Sequence, residues 1–114
     1  MARRMVAVTR ASEDALGVLA NQIKAARAAR GWTQVDLAAR VGITQKTMYA
    51  IESGSPSVSI GSVFNAAFTV GVNLFGLEGA DLARARRQGE DTLALLPERV
   101  RRPIVKENAD DSAF

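Results

Sequence analysis

The chain contains no cysteine and no histidine. The first absence excludes disulfides, thiolate metal sites and a thiol nucleophile. The second removes the commonest general base, the commonest zinc ligand and the usual switch near neutral pH. No catalytic triad can be assembled, so neither enzymatic activity nor a cofactor is expected. Ser55, Ser57, Ser59 and Ser62 form a small cluster that suits capping and loop solvation better than catalysis. No apolar run approaches the roughly 18 residues of a membrane span. Arg3 and Arg4 near the start are followed by no long apolar stretch, so no leader and a cytoplasmic location are expected.

What is present points to one small folded unit. The 114 residues suffice for a single core with a short extension. Apolar residues make up 47% of the chain, which favours folding over disorder. Alanine, the best helix former, supplies much of that fraction. The net charge of +3 is unevenly placed. Residues 1–60 carry eight basic and four acidic side chains, residues 61–106 seven and five, and the last eight residues only Glu107, Asp110 and Asp111. The excess therefore falls on the half of the chain that holds the motif described next.

Residues 1–11, with Arg3, Arg4 and Arg10, read as a basic arm. Ser12 ahead of Glu13 and Asp14 suits a helix start. Leu16, Leu19, Ile23 and Ala26 then recur at helical spacing up to a stop at Gly31. Thr33 and Asp36 make a capping box for a second helix, with Leu37, Ala38 and Val41 inward and Gly42 at its end. Thr44 caps a third helix, with Met48 and Ile51 inward and Gly54 closing it. Ser59 caps a fourth, holding Ile60, Val63, Phe64, Ala67 and Phe68 and ended by Gly71. Leu74, Phe75 and Leu77 form an apolar turn. A fifth helix is expected over 80–96, with Leu82, Ala85, Leu93 and Leu96 as a thin apolar set. Gly89 weakens it by about 1 kcal/mol relative to alanine. Pro97 ends it, Arg99, Arg101 and Arg102 follow, and residues 104–114 read as an acidic tail. Val100 and Ile104–Val105 are the candidates for a short strand. The expected division is an arm over 1–11, a helical domain over 12–77, a C-terminal helix with a basic segment over 78–103, and the tail.

Two short helices broken at Gly42 define a helix-turn-helix. Ala38 is small where the helices cross, and Gly42 supplies an unusual backbone angle at the turn. The outward face of the second helix then holds Gln45, Lys46, Thr47, Tyr49 and Ala50. Gln45 suits paired hydrogen bonds to adenine, and Lys46 suits guanine acceptors or a phosphate. Tyr49 suits a phosphate, a sugar or a thymine methyl group. Gln34, at a helix N-terminus, suits a phosphate. The candidate DNA-contacting set is Gln34, Arg40, Thr44, Gln45, Lys46, Thr47 and Tyr49, with Arg40 near phosphates rather than reading bases. Trp32 is expected to cover the core between the first two helices.

Thr33-Gln34 through Leu37-Ala38, Val41-Gly42-Ile43-Thr44-Gln45, Ile51-Glu52 and Gly54 together resemble the Xre/phage-repressor helix-turn-helix family, over roughly residues 14–77. The resemblance implies an all-α, five-helix lambda-repressor-like fold. It also implies a structural ion pair between Glu52 and Arg27. Two shorter stretches, Gly54 to Val63 and Leu95 to Arg101, are similar to HipB-like antitoxins that accompany HipA-like kinase toxins. Ser62 stands there where the resemblance leads one to expect threonine. That likeness implies a homodimer on an inverted-repeat operator of double-stranded DNA, holding a HipA-like Ser/Thr kinase toxin inactive and repressing its own operon. The alternative is a stand-alone Xre-type regulator. Arg84, Arg87, Arg99, Arg101 and Arg102 are the candidate contacts to a partner or a second protomer, with Arg86 beside them.

Overall fold

The structure, a computed structural model, describes residues 7–100 and residue 102. Five helices run in the order α1 (Arg10–Ala29), α2 (Gln34–Val41), α3 (Gln45–Glu52), α4 (Ile60–Thr69) and α5 (Gly79–Ala94). There is no strand among the described residues, Val100 included; the one ladder feature is an isolated bridge between Leu74 and Leu77. Residues 104 and 105 lie outside the described range, as do Arg3, Arg4, Arg101 and the acidic tail. The chain divides into two units with the boundary after Gly79.

Local capping sets the starts of α2, α3 and α4. Thr33 accepts from the Asp36 N–H while the Asp36 carboxylate accepts from the Thr33 N–H, so both halves of the box form. Thr44 and Ser59 cap α3 and α4 in the simpler way. The start of α1 departs from expectation. Thr9, not Ser12, is its cap: the Thr9 hydroxyl accepts from the Ser12 N–H, and Ser12 sits inside the first turn. Two hydroxyls three residues apart compete for one role, and the upstream one adds a further turn of helix. Arg10 is thereby helical.

Ile23 of α1, Leu37 and Ala38 of α2, Met48 and Ile51 of α3, and Ala66, Ala67 and Val70 at α4 form the core, joined by Leu74. Leu19 and Ala26 are half-buried against this core, Leu16 is half-buried, and Trp32 packs on the core from the α1–α2 loop. The expected inward face of α4 needs correction. Ile60 and Phe68 are exposed, whereas Ala67 is buried as expected and Ala66, outside the expected set, is buried beside it. Ile60, Phe64 and Phe68 form an i, i+4, i+8 row on the flank of the helix. Alanines face inward because they allow α4 to lie close to α2. Phe64 and Phe75 meet edge-on at 6.2 Å. That contact accompanies an uncommon backbone at Phe75, whose φ of 58° is left-handed in a bulky residue.

Helix α5 is described by itself. It starts at Gly79, ends at Ala94 two residues before the expected Leu96, and has no buried residue.

Gly42 and Gly89 offer opposite outcomes for one substitution. A methyl group added at either would meet no atom within 4 Å, so crowding decides nothing. Gly42 has φ of 85° at the end of α2. Gly42→Ala should therefore lower the denaturation midpoint by an amount equivalent to roughly 1–2 kcal/mol. Gly89→Ala, in a helix interior, should raise helical ellipticity and stabilise α5 by about 0.5–1 kcal/mol. Circular dichroism during urea titration measures both.

Candidate nucleic-acid interface

Helix α3 is eight residues long, too short to hold itself. Its position is set from outside. Gly42 turns the chain in a left-handed conformation, and Thr44 closes the N-terminus by accepting from the Thr47 N–H. The Thr44 hydroxyl also donates to the Thr47 hydroxyl at 3.0 Å. Thr44 and Thr47, both in the candidate contact set, thus spend much of their hydrogen-bonding capacity on each other. Met48 and Ile51 anchor one side of the helix in the core. Gln45, Lys46 and Tyr49 are left exposed on the other, with Tyr49 at 64%.

The far end of α3 is held by a buried polar knot. Arg27 donates through Nε to Glu52 Oε2 at 2.7 Å and through Nη2 to Oε1 at 2.9 Å, a paired fork geometry. The remaining guanidinium nitrogen, Nη1, donates to the Trp32 carbonyl at 2.7 Å. The Glu52 side chain is 2% exposed and that of Arg27 is 13% exposed. The hydrogen bond to Glu52 raises the Arg27 pKa above its ordinary value; desolvation opposes this, and the Glu52 charge adds to it. Gln34 joins the knot, its Nε2 donating to Glu52 Oε1 at 3.1 Å. One amide proton of Gln34 is thus taken, and the side chain is aimed by Glu52.

A groove of about 410 Å³ lies along α3. Lys46, Thr47, Tyr49 and Ala50 line one side, and Ser57, Val58, Ser59 and Ser62 the other. Ser59 and Ser62 belong to the start of α4, whose N-terminal end carries a partial positive charge. No acidic residue lines the groove. In the sequence these serines suit capping and loop solvation better than catalysis. Ser59 does cap, but the spacing contains no signal that the α3–α4 loop folds back beside Lys46. Arg40 is placed elsewhere: its guanidinium carbon lies 4.1 Å from the centre of the Trp32 ring.

Among the candidate partner contacts, Arg84 pairs with Asp81 at 3.2 Å on the exposed surface of α5. Arg87, Arg99 and Arg102 are exposed, and Arg101 lies outside the described residues. No group of three or more potential metal-binding side chains occurs among the described residues. No described helix is long and apolar enough to cross a membrane.

Removing one partner of a buried pair leaves the other unpaired, which costs roughly 3–5 kcal/mol. Arg27→Ala should therefore lower the melting temperature far more than Arg30→Ala, which gives up one hydrogen bond to the Val70 carbonyl worth about 1 kcal/mol. Equal melting temperatures would contradict the knot. A second expectation concerns acid. The backbone and side-chain hydrogen bonds with Thr33 lower the Asp36 pKa, against slight desolvation and with help from the Arg40 charge. A carboxylate depressed on folding adds stability above its unfolded pKa and loses it as pH falls through the folded value. Asp36→Asn should flatten the acid side of a melting-temperature profile, from the usual carboxylate range downward.

Residues 23–73 match a family model described as Helix-turn-helix, of the Xre type. Searches of curated proteins and of solved structures gave no match. The matched segment runs from the core residue Ile23 through the Arg27–Glu52 knot, α3 and the serine side of the groove to the turn after α4. The fold is all-α and lambda-repressor-like, and the match supports a DNA-binding transcriptional regulator.

Proposed function

We propose that the protein is a sequence-specific repressor that reads a major groove with α3. The observation that carries this is the exposed set Gln45, Lys46 and Tyr49 on a helix whose two ends are fixed by the Thr44 cap and the Arg27–Glu52 knot. Gln45 and Lys46 at the start of the helix supply base contacts. Phosphates are met by Gln34, by Lys46 and by the free amide end of α4 beside Ser59. Thr44 and Thr47 act mainly by shaping the helix start.

One copy presents a small footprint, so two half-sites about one DNA turn apart are expected, bound by a homodimer on an inverted repeat. Helix α5 supports that reading. At 100° per residue, Leu82, Ala85, Gly89 and Leu93 of α5 fall within an arc of roughly 80°. Leu93 and Leu96 are exposed. Antiparallel self-pairing about Gly89 would set Ala85 against Leu93. The finer role we infer is that of a HipB-like antitoxin, which neutralises a HipA-like Ser/Thr kinase toxin and represses its own operon. Its support is the likeness of Gly54–Val63 and Leu95–Arg101 to such antitoxins, and the exposed Arg84, Arg87, Arg99 and Arg102.

Selection of bound duplexes from random DNA, followed by mobility shifts, tests the repressor reading. Lys46→Ala should weaken the selected duplex by about 5- to 150-fold, the equivalent of 1–3 kcal/mol, with an unchanged melting temperature. Unchanged binding would remove α3 from the recognition role. Co-purification from the native host tests the antitoxin: a stable kinase partner supports it, and its absence alongside full operator binding supports a stand-alone regulator.

A further inference from the structure

Three arginines converge on the α1–α2 loop, and they are not alike. Arg27 is consumed by Glu52 and the Trp32 carbonyl. Arg30 and Arg40 instead hold their guanidinium carbons 5.2 Å and 4.1 Å from the centre of the Trp32 ring. Trp32 packs on the core through its side chain, and its carbonyl is held by Arg27, so the ring that carries them is fixed. Arg30 commits Nε to the Val70 carbonyl at 3.2 Å. Arg40 makes no side-chain hydrogen bond, and neither Arg30 nor Arg40 forms an ion pair among the described residues. The nearby Asp36 carboxylate accepts from the Thr33 N–H within the capping box. Both arginines are exposed.

We propose that Arg30, Trp32 and Arg40 form a docking site for an acidic segment of a partner protein. Two long cationic side chains ordinarily lose rotamer freedom on binding, and stacking on a fixed indole removes part of that cost in advance. The two distances to one centroid bound the separation of the guanidinium carbons at 9.3 Å. Two carboxylates fit that span when they lie two residues apart in an extended segment, about 7 Å, or four apart on a helix, about 6 Å. Guanidinium forks match carboxylate geometry. A DNA phosphate would match the same chemistry, and Gln34, two residues from Trp32, is proposed above to meet one; neither Arg30 nor Arg40 lines the α3 groove itself. Arg30 reaches Val70, just past the C-terminal end of α4, whereas the groove beside Lys46 borders Ser59 and Ser62 at the N-terminal end. The ten residues between span about 15 Å.

Trp32 is the one tryptophan in the chain and reports directly on the site. Hexaglutamate titrated into the full-length protein at low ionic strength should change its emission saturably, and hexaglutamine should not. Arg40→Gln, which removes no hydrogen bond among the described residues, should weaken the titration roughly tenfold or more. Lys24→Gln, which removes an exposed charge elsewhere on α1, should leave it unchanged. Absence of a saturable change, or an Arg40→Gln titration equal to that of the unmodified protein, overturns the proposal. So does a duplex-DNA titration that changes Trp32 emission and loses that change in Arg40→Gln, because the pair would then be a phosphate contact. The outcome is independent of whether α3 reads DNA.

Discussion

The buried carboxylate of Glu52 is the point on which the arrangement of the first three helices depends. It sits at the last residue of α3 and receives three donors, two from Arg27 of α1 and one from Gln34 of α2. Arg27 in turn holds the Trp32 carbonyl in the loop between α1 and α2. A charge with 2% exposure is tolerable only when its lone pairs are met this fully. An apolar replacement of matched volume could rival the pair in stability. It could not orient Gln34, because only a buried acceptor at this position fixes an amide donated from a neighbouring helix.

That constraint explains how an eight-residue helix is held in one place. An isolated helix of this length is marginal, since nucleation costs more than so few hydrogen bonds return. Here the N-terminal end is closed by Thr44, the inner side is seated by Met48 and Ile51, and the C-terminal end is held by Glu52. Gln45, Lys46 and Tyr49 have nothing structural left to do. The division is strict along the helix: residues that fix it point inward or lie at its ends, and residues available to a ligand lie between them.

The features legible in the sequence were those decided within a few residues. Thr33, Asp36, Thr44 and Ser59 act on N–H groups three positions away, so spacing alone reveals them. Ile23, Leu37, Met48 and Ile51 stand out because helical periodicity marks one face. The illegible features depend on what another element brings. Ile60 and Phe68 look like core residues until Ala66 and Ala67 let α4 approach α2 closely. Thr9 and Ser12 are equivalent caps on paper. Phe75 bears no glycine or asparagine signal for its left-handed backbone. Ser57, Ser59 and Ser62 reach the groove along α3, and Arg40 reaches Trp32, only through tertiary folding.

Charge placement carries the last step. A guanidinium used to fix the fold, as Arg27 is, cannot also meet a phosphate without loosening α3. Arg30 and Arg40 are drawn to Trp32. Of the residues lining the α3 groove, Lys46 is the one that carries a charge. Each phosphate neutralised adds only about 0.9 to the slope of log affinity against log salt. A single copy with so few cations at the groove must therefore depend on base contacts and on amide dipoles, both of which weaken little with salt. Pairing two copies, as proposed above, would double the base contacts, the amide ends and the Lys46 charges together. A modest net charge is thus compatible with selective DNA binding, provided that selectivity is supplied by geometry held in place from inside the fold.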